Sequence, residues 1–205
     1  LKTSNVVDLI PIYGLWNVPQ GGSSNFSDYG YTVNNTVVQA NYSSWRSWAD
    51  AYNKLPKGQK SYVEMMIDTP IDNAFIFGVS SVRAQSSMDH LGQQGYPTWG
   101  KFFGLNEIYR PSSTQLAPTF FITKAKIYIV GIALDNSISP ARLWFSVDGV
   151  WPNGNPSAED NTPEFDDLPM QDYFFGYSST KNTTAPVRIL GSPTFRVPKD
   201  FQFVY

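Results

Sequence analysis

The chain has no cysteine in 205 residues, which excludes a disulfide framework, a thiolate metal site and a cysteine nucleophile. It has one histidine, His90 in Met88-Asp-His-Leu-Gly92. A Ser-His-Asp triad would have to use it, yet no Gly-x-Ser-x-Gly elbow presents a nucleophile. His90 is therefore expected to be a polar loop residue. No phosphate-cradling Gly-x-x-x-x-Gly-Lys loop is expected, and no zinc-ligand spacing. Charge is scarce too: 16% of residues are charged and the net charge is -2. That gives no electrostatic reason to expect nucleic acid or an anionic membrane as partner. No apolar run approaches ~20 residues, so membrane insertion is not expected. Four Asn-x-Ser/Thr triplets, at Asn25, Asn34, Asn41 and Asn182, read as accidents of an Asn/Ser/Thr-rich composition.

What the chain has in quantity is aromatic residues, 16% of the total, with 6 Trp, 12 Tyr and 14 Phe. Strands favour these side chains. Fifteen Gly and fifteen Pro supply turns and argue against long helices. The length fits one β-sandwich with elaborate loops. Leu1 rather than Met comes first, so the chain reads as a fragment or a processed product. Val6 to Trp16 is apolar, but Asp8 and Pro11 break it and no small-residue cleavage site follows, so it is not read as a signal peptide.

The densest local signal lies in Gly131 to Pro156. A strand-like run, Ile127 to Leu134, is followed by a loop, Asp135 to Pro140, and a second run, Arg142 to Val147. Asp148-Gly149 favours the positive φ of a type I′ turn, and Val150-Trp151 is expected to start the return strand. This β-meander argues for an antiparallel all-β domain. Further strands are expected at 6 to 13, 32 to 42, 61 to 68, 74 to 82, 119 to 134, 172 to 178, 186 to 190 and 201 to 205. Trp45, Trp48, Ala49, Tyr52 and Leu55 recur at three- and four-residue spacing, which predicts a short helix over 45 to 55 ending at Pro56-Lys57-Gly58. Residues 83 to 118 read as one long loop region, rich in Gly, Gln, Ser and Pro.

Six blocks, in order, resemble the SPRY domain family in the form met in bacteriophage and other viral proteins. Val130-Gly131-Ile132-Ala133-Leu134-Asp135, Leu143 to Trp151 and Gly154-Asn155-Pro156 are similar to the family's consecutive "vIGvalDl", "iWfskNGvW" and "gNPa" elements. Ser61 to Asp68 and Ala74 to Ser80 are similar to its earlier strands, and Ser192 to Pro198 with Phe201 to its phage-type ending. Asp148 stands where the family usually has Asn, which still suits the turn. The resemblance covers roughly residues 24 to 205. It implies a two-sheet antiparallel sandwich, concanavalin-like, with at most one or two short helices, preceded by an N-terminal arm or first strand over 1 to 23.

The sandwich type also supports glycosidases, which flank the scissile bond with carboxyl groups about 5 to 9.5 Å apart. Glu64 and Asp68 share a sheet face, but four strand residues separate their Cα atoms by about 13 Å. A partner across strands, Asp148 or Glu107, is the remaining way to pair Glu64. The Glu-x-Asp-x-x-Glu pattern of laminarinases is absent. Glu64 reads more simply as a strand residue holding backbone or an Arg, and no catalytic residue is assigned. The acidic stretch Glu159, Asp160, Glu164, Asp166, Asp167 lacks the alternation of a calcium loop and reads as solvated, so no metal or cofactor is expected.

Trp144, Tyr62, Phe75, Phe77, Phe145 and Tyr128 read as core. Tyr96, Trp99, Phe102 and Tyr109 fall in the irregular 83 to 118 region, and Trp151 follows the turn; these five are the expected ligand-binding residues. Aromatics among Gly, Gln and Asn suit sugar rings or the hot spots of a protein interface. The function the resemblance implies is a non-catalytic binding module of a virion protein such as a tail fibre or spike. Its partners would be a host-surface receptor or glycan and other virion subunits, in a trimer. The alternatives are a carbohydrate-binding or carbohydrate-degrading domain outside a virion, and an intracellular adaptor that reads peptides.

Overall fold

The structure, a computed structural model, describes residues 13–17, 31–34, 36–40, 47–68, 75–83, 90–103, 107–116, 126–159, 161–179 and 185–205. The described residues form strands, turns and loops and contain no helix. In chain order the strands are β1 (Tyr31–Asn34), β2 (Val37–Ala40), β3 (Ser47–Leu55), β4 (Lys60–Ile67), β5 (Phe75–Ser80), β6 (Thr98–Phe102) and β7 (Glu107–Tyr109). They continue as β8 (Thr114–Leu116), β9 (Tyr128–Asp135), β10 (Ala141–Val147), β11 (Phe165–Leu168), β12 (Tyr173–Ser179), β13 (Val187–Ile189) and β14 (Gln202–Phe203). The first sheet runs β1-β2-β13-β4-β9-β10-β11, with β14 added in parallel on β4. The second runs β3-β12-β5-β6-β7-β8, and every pair along both orders is antiparallel.

Strand alternation explains the packing. Val63, Met65 and Ile67 of β4, Val130, Ile132 and Leu134 of β9, and Leu143 and Phe145 of β10 point to the space between the sheets. There they meet a single buried cluster with Phe75, Phe77 and Val79 of β5 and Tyr173, Phe175 and Tyr177 of β12. The opposite faces are covered as well. On the first sheet, Tyr62, Ala133 and Trp144 lie under Phe201, with Val197, Phe203 and Trp151 around them. On the second, Ile76 and Phe102 lie under Leu91, with Val82, Tyr96 and Tyr109 beside them. Gly176, Gly78 and Gly100 stand side by side on β12, β5 and β6. A Cβ at Gly100 would come within 3.3 Å of Leu91 and one at Gly176 within 3.0 Å, so these two glycines let Leu91 settle on the sheet. The outer layers use much of the aromatic excess seen in the composition.

The meander forms as expected. Asp148 (φ 49°) and Gly149 (φ 78°) make the type I′ turn, and Val147 and Val150 exchange both backbone hydrogen bonds at 3.0 Å. Asp148 adds a latch, since its carboxylate accepts from the Ile129 amide at 3.0 Å and pairs with Lys126 at 2.9 Å. The return strand is shorter than expected, with Trp151 lying outside any strand.

Two expectations need correction. The helix over 45 to 55 is strand β3 from Ser47 to Leu55, residues 45 and 46 lying outside the described residues. β3 carries two extra residues against β12, because Phe174 pairs with Lys54 while Gly176 pairs with Asp50. The irregularity breaks the period of two, leaving Ala49, Asp50, Ala51 and Leu55 buried and Tyr52 exposed, so no strand alternation is visible in the sequence there. The second correction concerns 83 to 118, whose described part contains β6, β7 and β8. Trp99 and Phe103 point into the core with Lys101 between them, and this inward lysine interrupts the apolar alternation.

The strand expected at 6 to 13, and the first part of the one expected at 119 to 134, lie largely outside the described residues. Of the proposed arm, residues 13–17 are described and pack into the sandwich. Tyr13 bridges Leu190 next to β13, Trp16 bridges Ala51 on β3, and the Trp16 ring joins the main core. Arg83 pairs with the buried Asp50 at the same edge and stacks 3.7 Å over the Phe174 ring.

Candidate functional sites

Glu64 is the carboxylate a hydrolase would need, and it is fully committed elsewhere. It points to the outer face of β4, is buried, and accepts from the Tyr62 hydroxyl (2.9 Å), the Thr194 amide (2.6 Å) and the Phe195 amide (3.0 Å). Burial, and then the neighbouring Glu64 charge, push the Tyr62 phenol far above its usual range. Glu64 thus fastens the C-terminal covering segment to the first sheet, the backbone-holding role expected of it. Neither cross-strand partner meets it. Asp148 is held at its own turn, and Glu107 lies on the outer face of the second sheet, where it accepts from Tyr109 at 2.6 Å.

Of the acidic stretch, Glu159, Asp166 and Asp167 are exposed, as a solvated loop implies, whereas Glu164 turns inward as part of a clasp. Glu164 is buried, and its carboxylate meets Lys101 Nζ at 3.1 Å and accepts from the Phe145 amide at 3.2 Å, continuing the ladder where β11 stops. Arg110 reaches Asp167 at 3.3 Å and the Glu164 carbonyl at 3.4 Å. Two cations of the second sheet therefore grip an acidic edge of the first. Among the described residues no group of three His, Asp or Glu side chains is placed to hold a metal ion. Gly95 to Lys101 spells the first seven residues of a P-loop, but Phe102 follows, the segment enters β6, and the lysine is spent on Glu164.

The five expected ligand residues divide. Trp99 and Phe102 are corrected: both are buried at 4% exposure, because alternation along β6 sends Trp99 into the inter-sheet core and Phe102 beneath Leu91. Tyr96 is half-buried beside Phe102. Tyr109 and Trp151 each line a cleft, and the two clefts lie on opposite faces of the sandwich.

The cleft on the second sheet, about 440 Å³, is lined by His90, Gly92, Gln93, Gln94, Tyr109, Arg110, Ser113 and Thr114. Three devices shape it. Gly92 (φ 78°) packs where a Cβ would come within 2.2 Å of the Tyr109 Cβ, and its amide donates to Thr98 Oγ1 at 2.7 Å. Gly95 donates to the Pro111 carbonyl at 2.8 Å, joining the 90–97 segment to the β7–β8 turn. His90 meets Tyr109 edge-on at 5.4 Å and has Nδ1 2.9 Å from the Leu91 carbonyl. Burial, with the bond to Glu107, pushes the Tyr109 phenol up, so the ring stays neutral. An aromatic ring ringed by amides, hydroxyls and one guanidinium can take a polar, ring-shaped ligand.

The cleft on the first sheet, about 430 Å³, opens between the β10 turn, the 152–157 loop and residues 195–199. Tyr62 is at its floor and Trp151 tilts against it, with ring centroids 6.1 Å apart. Phe195 lies against Gly149, where a Cβ would come within 2.6 Å of the ring. Arg196 and Lys199 also line it and are exposed. Trp151 was within reach of sequence reasoning. Its cationic neighbours, some 45 residues away, were not.

In three dimensions the chain resembles SPRY domains. The SPRY domain of human HERC1 matches with a TM-score of 0.57 at 14% identity, over 78% of this chain and 91% of that one. The TRIM65 PSpry domain matches with 0.56 at 11% identity, over 88% and 93%. A human SPRY domain gives 0.55 at 12% identity, over 80% and 97%. No protein-family profile and no curated protein matches the sequence. At these identities the likeness is one of architecture: an all-β, two-sheet SPRY-like sandwich.

Proposed function

We propose that this chain is a non-catalytic binding module that recognises a host-surface glycan or receptor through the Tyr109 cleft, as part of a virion appendage such as a tail fibre or spike. The observation that carries the binding reading is the make-up of that cleft, one neutral aromatic ring among Gln93, Gln94, Ser113 and Thr114. Such a site suits a sugar, whose C–H face stacks on the ring while amides and hydroxyls meet its hydroxyls. The SPRY-like sandwich supports it, since loops on a rigid scaffold are where binding residues concentrate. The virion setting is supported by the order and phage-type form of the sequence blocks, above all the closing Ser192 to Pro198 with Phe201. In a trimeric fibre, other virion subunits are further partners, and avidity multiplies weak single-site binding.

Tyr109→Leu combined with Gln94→Ala keeps apolar packing over Phe102 while removing the flat ring and one amide. Binding to host cells or to a neutral glycan panel should fall at least tenfold, with the melting temperature held within a few degrees. Unchanged binding by the folded double variant places recognition elsewhere.

Hydrolysis is not expected, because both Glu64 oxygens are engaged by protein donors. Incubation with a polysaccharide panel should release no sugar. Glu64→Ala leaves two backbone amides and a phenol without their acceptor, at about 1 to 3 kcal/mol for each buried unsatisfied group, so its expected signature is lost stability. Sugar release by the unaltered chain that disappears in Glu64→Gln would make the domain an enzyme.

A further inference from the structure

We infer that the cleft between Trp151 and Arg196 is a second binding site, selective for an acidic saccharide held through its carboxylate. The argument is one of donors and acceptors. Asn155 Oδ1 already accepts from the Ser157 amide at 2.8 Å, which also fixes the orientation of the Asn155 amide. Ser157 Oγ already accepts from the Lys199 amide at 2.7 Å. Each oxygen has thus spent one of its two acceptor positions, while the Asn155 N–H₂ and the Ser157 O–H remain as donors. Arg196 and Lys199 are donors only, and neither has an ion-pair partner among the described residues. Among the described residues no Asp or Glu lines the cleft. A site of unspent donors and two free cations wants an acceptor-rich anion, and a guanidinium with an ammonium close by suits a carboxylate.

The apolar part selects what carries that carboxylate. Trp151 and Phe195 are half-buried and give the cleft aromatic walls, suited to the C–H face of a sugar ring. About 430 Å³ is near the lower end of the roughly 300–1,000 Å³ range of small-ligand pockets, room for a sugar-acid unit or two. An extended peptide would draw affinity from pairing with an open strand edge. The strand beside the cleft is already used, β14 lying on β4 with Val204 donating to the Tyr62 carbonyl at 2.8 Å. This site shares no lining residue with the Tyr109 cleft and does not depend on it.

The test is titration calorimetry of the intact chain with sialyllactose and tri-galacturonate, against lactose and methyl-esterified tri-galacturonate, with a Glu-rich hexapeptide and inorganic phosphate as further arms. At least one acidic sugar should bind ten times more tightly than its neutral counterpart and weaken between 50 and 500 mM salt. Asn155→Asp keeps the acceptor for Ser157 and adds a repelling charge, so it should weaken that sugar at least tenfold without moving the melting temperature. Arg196→Gln with Lys199→Gln should do the same, and Tyr109→Leu/Gln94→Ala should leave it untouched. Equal binding of acidic and neutral sugars, no binding of either acidic sugar, or indifference to both sets of substitutions overturns the proposal. Preference for the peptide or for phosphate overturns it equally, by reassigning the cleft to another anion.

Discussion

Trp144→Ala should lower the unfolding free energy by about 3 to 5 kcal/mol, the cost of an unfilled cavity at a buried Trp. The indole is 2% exposed and lies on the outer face of the first sheet, opposite in sense to Phe145, which is fully buried between the sheets. It meets Phe201 edge-on at 6.3 Å, and its Nε1 donates to the Asn161 carbonyl at 3.0 Å. The substitution therefore loosens two covering elements at once, the C-terminal segment and the stretch leading to β11. Trp144→Phe keeps most of the volume and loses the hydrogen bond, so about 1 to 2 kcal/mol is expected for the orphaned carbonyl and the smaller ring. Urea unfolding measures both. Against a typical total of about 5 to 15 kcal/mol, the Ala variant should be visibly less stable at 37 °C. A loss below about 1 kcal/mol would mean the outer layer is an ornament on a self-sufficient sandwich.

The same residue shows what the sequence makes legible. Leu143 to Val147 lies between a loop and an Asp-Gly turn, so its period of two could be read without knowing the partner strands, and with it the burial of Trp144 and Phe145 on opposite faces. The meander, and most of β4, β5, β12 and β13, were readable for this reason: their pairing partners supply burial but do not alter the local pattern. β3 was not, because its two-residue excess over β12 is a property of the pair and erases the period of two within the strand.

The site was half legible for a related reason. Aromatics outside a recognisable strand looked exposed, yet Trp99 and Phe102 are strand neighbours whose opposite faces are both covered. Covering depends on Leu91, and Leu91 lies close to the sheet because Gly176 of β12 and Gly100 of β6 leave room for it, a register no local pattern announces. Tyr109 and Trp151 do reach clefts. Trp151's cationic neighbours come from residues 196 and 199, brought close by the Glu64 anchor. That Glu64 holds backbone was readable; where the held segment lies was not.

Lys101→Met should cost about 3 to 5 kcal/mol at pH 7, the penalty for stripping a buried charge of its partner. Lys101 and Glu164 are both buried, one on each sheet, and the lysine is surrounded by Phe77, Trp99 and Phe103 as strand neighbours. Desolvation pushes the Glu164 carboxyl up, while Lys101 and the Phe145 amide pull it down. Removing Lys101 deletes the largest opposing influence, so Glu164 should hold its proton to still higher pH in the folded state. The sign follows from proton counts: a folded state that binds the proton more tightly than the unfolded chain loses stability as pH rises above the unfolded value near 4.5. The Lys101→Met penalty should therefore shrink toward pH 4 and grow toward neutrality. Adding Glu164→Gln removes the titrating charge but retains an acceptor for the Phe145 amide, so the double variant should recover about 2 to 3 kcal/mol at pH 7 and lose the steep pH dependence. Urea unfolding of the unaltered chain, Lys101→Met, Glu164→Gln alone and the double variant at pH 4 and pH 7 closes the cycle. Additive losses with no pH dependence would show that the two side chains pack side by side without sharing charge, and that the sandwich edge is closed by apolar contact alone.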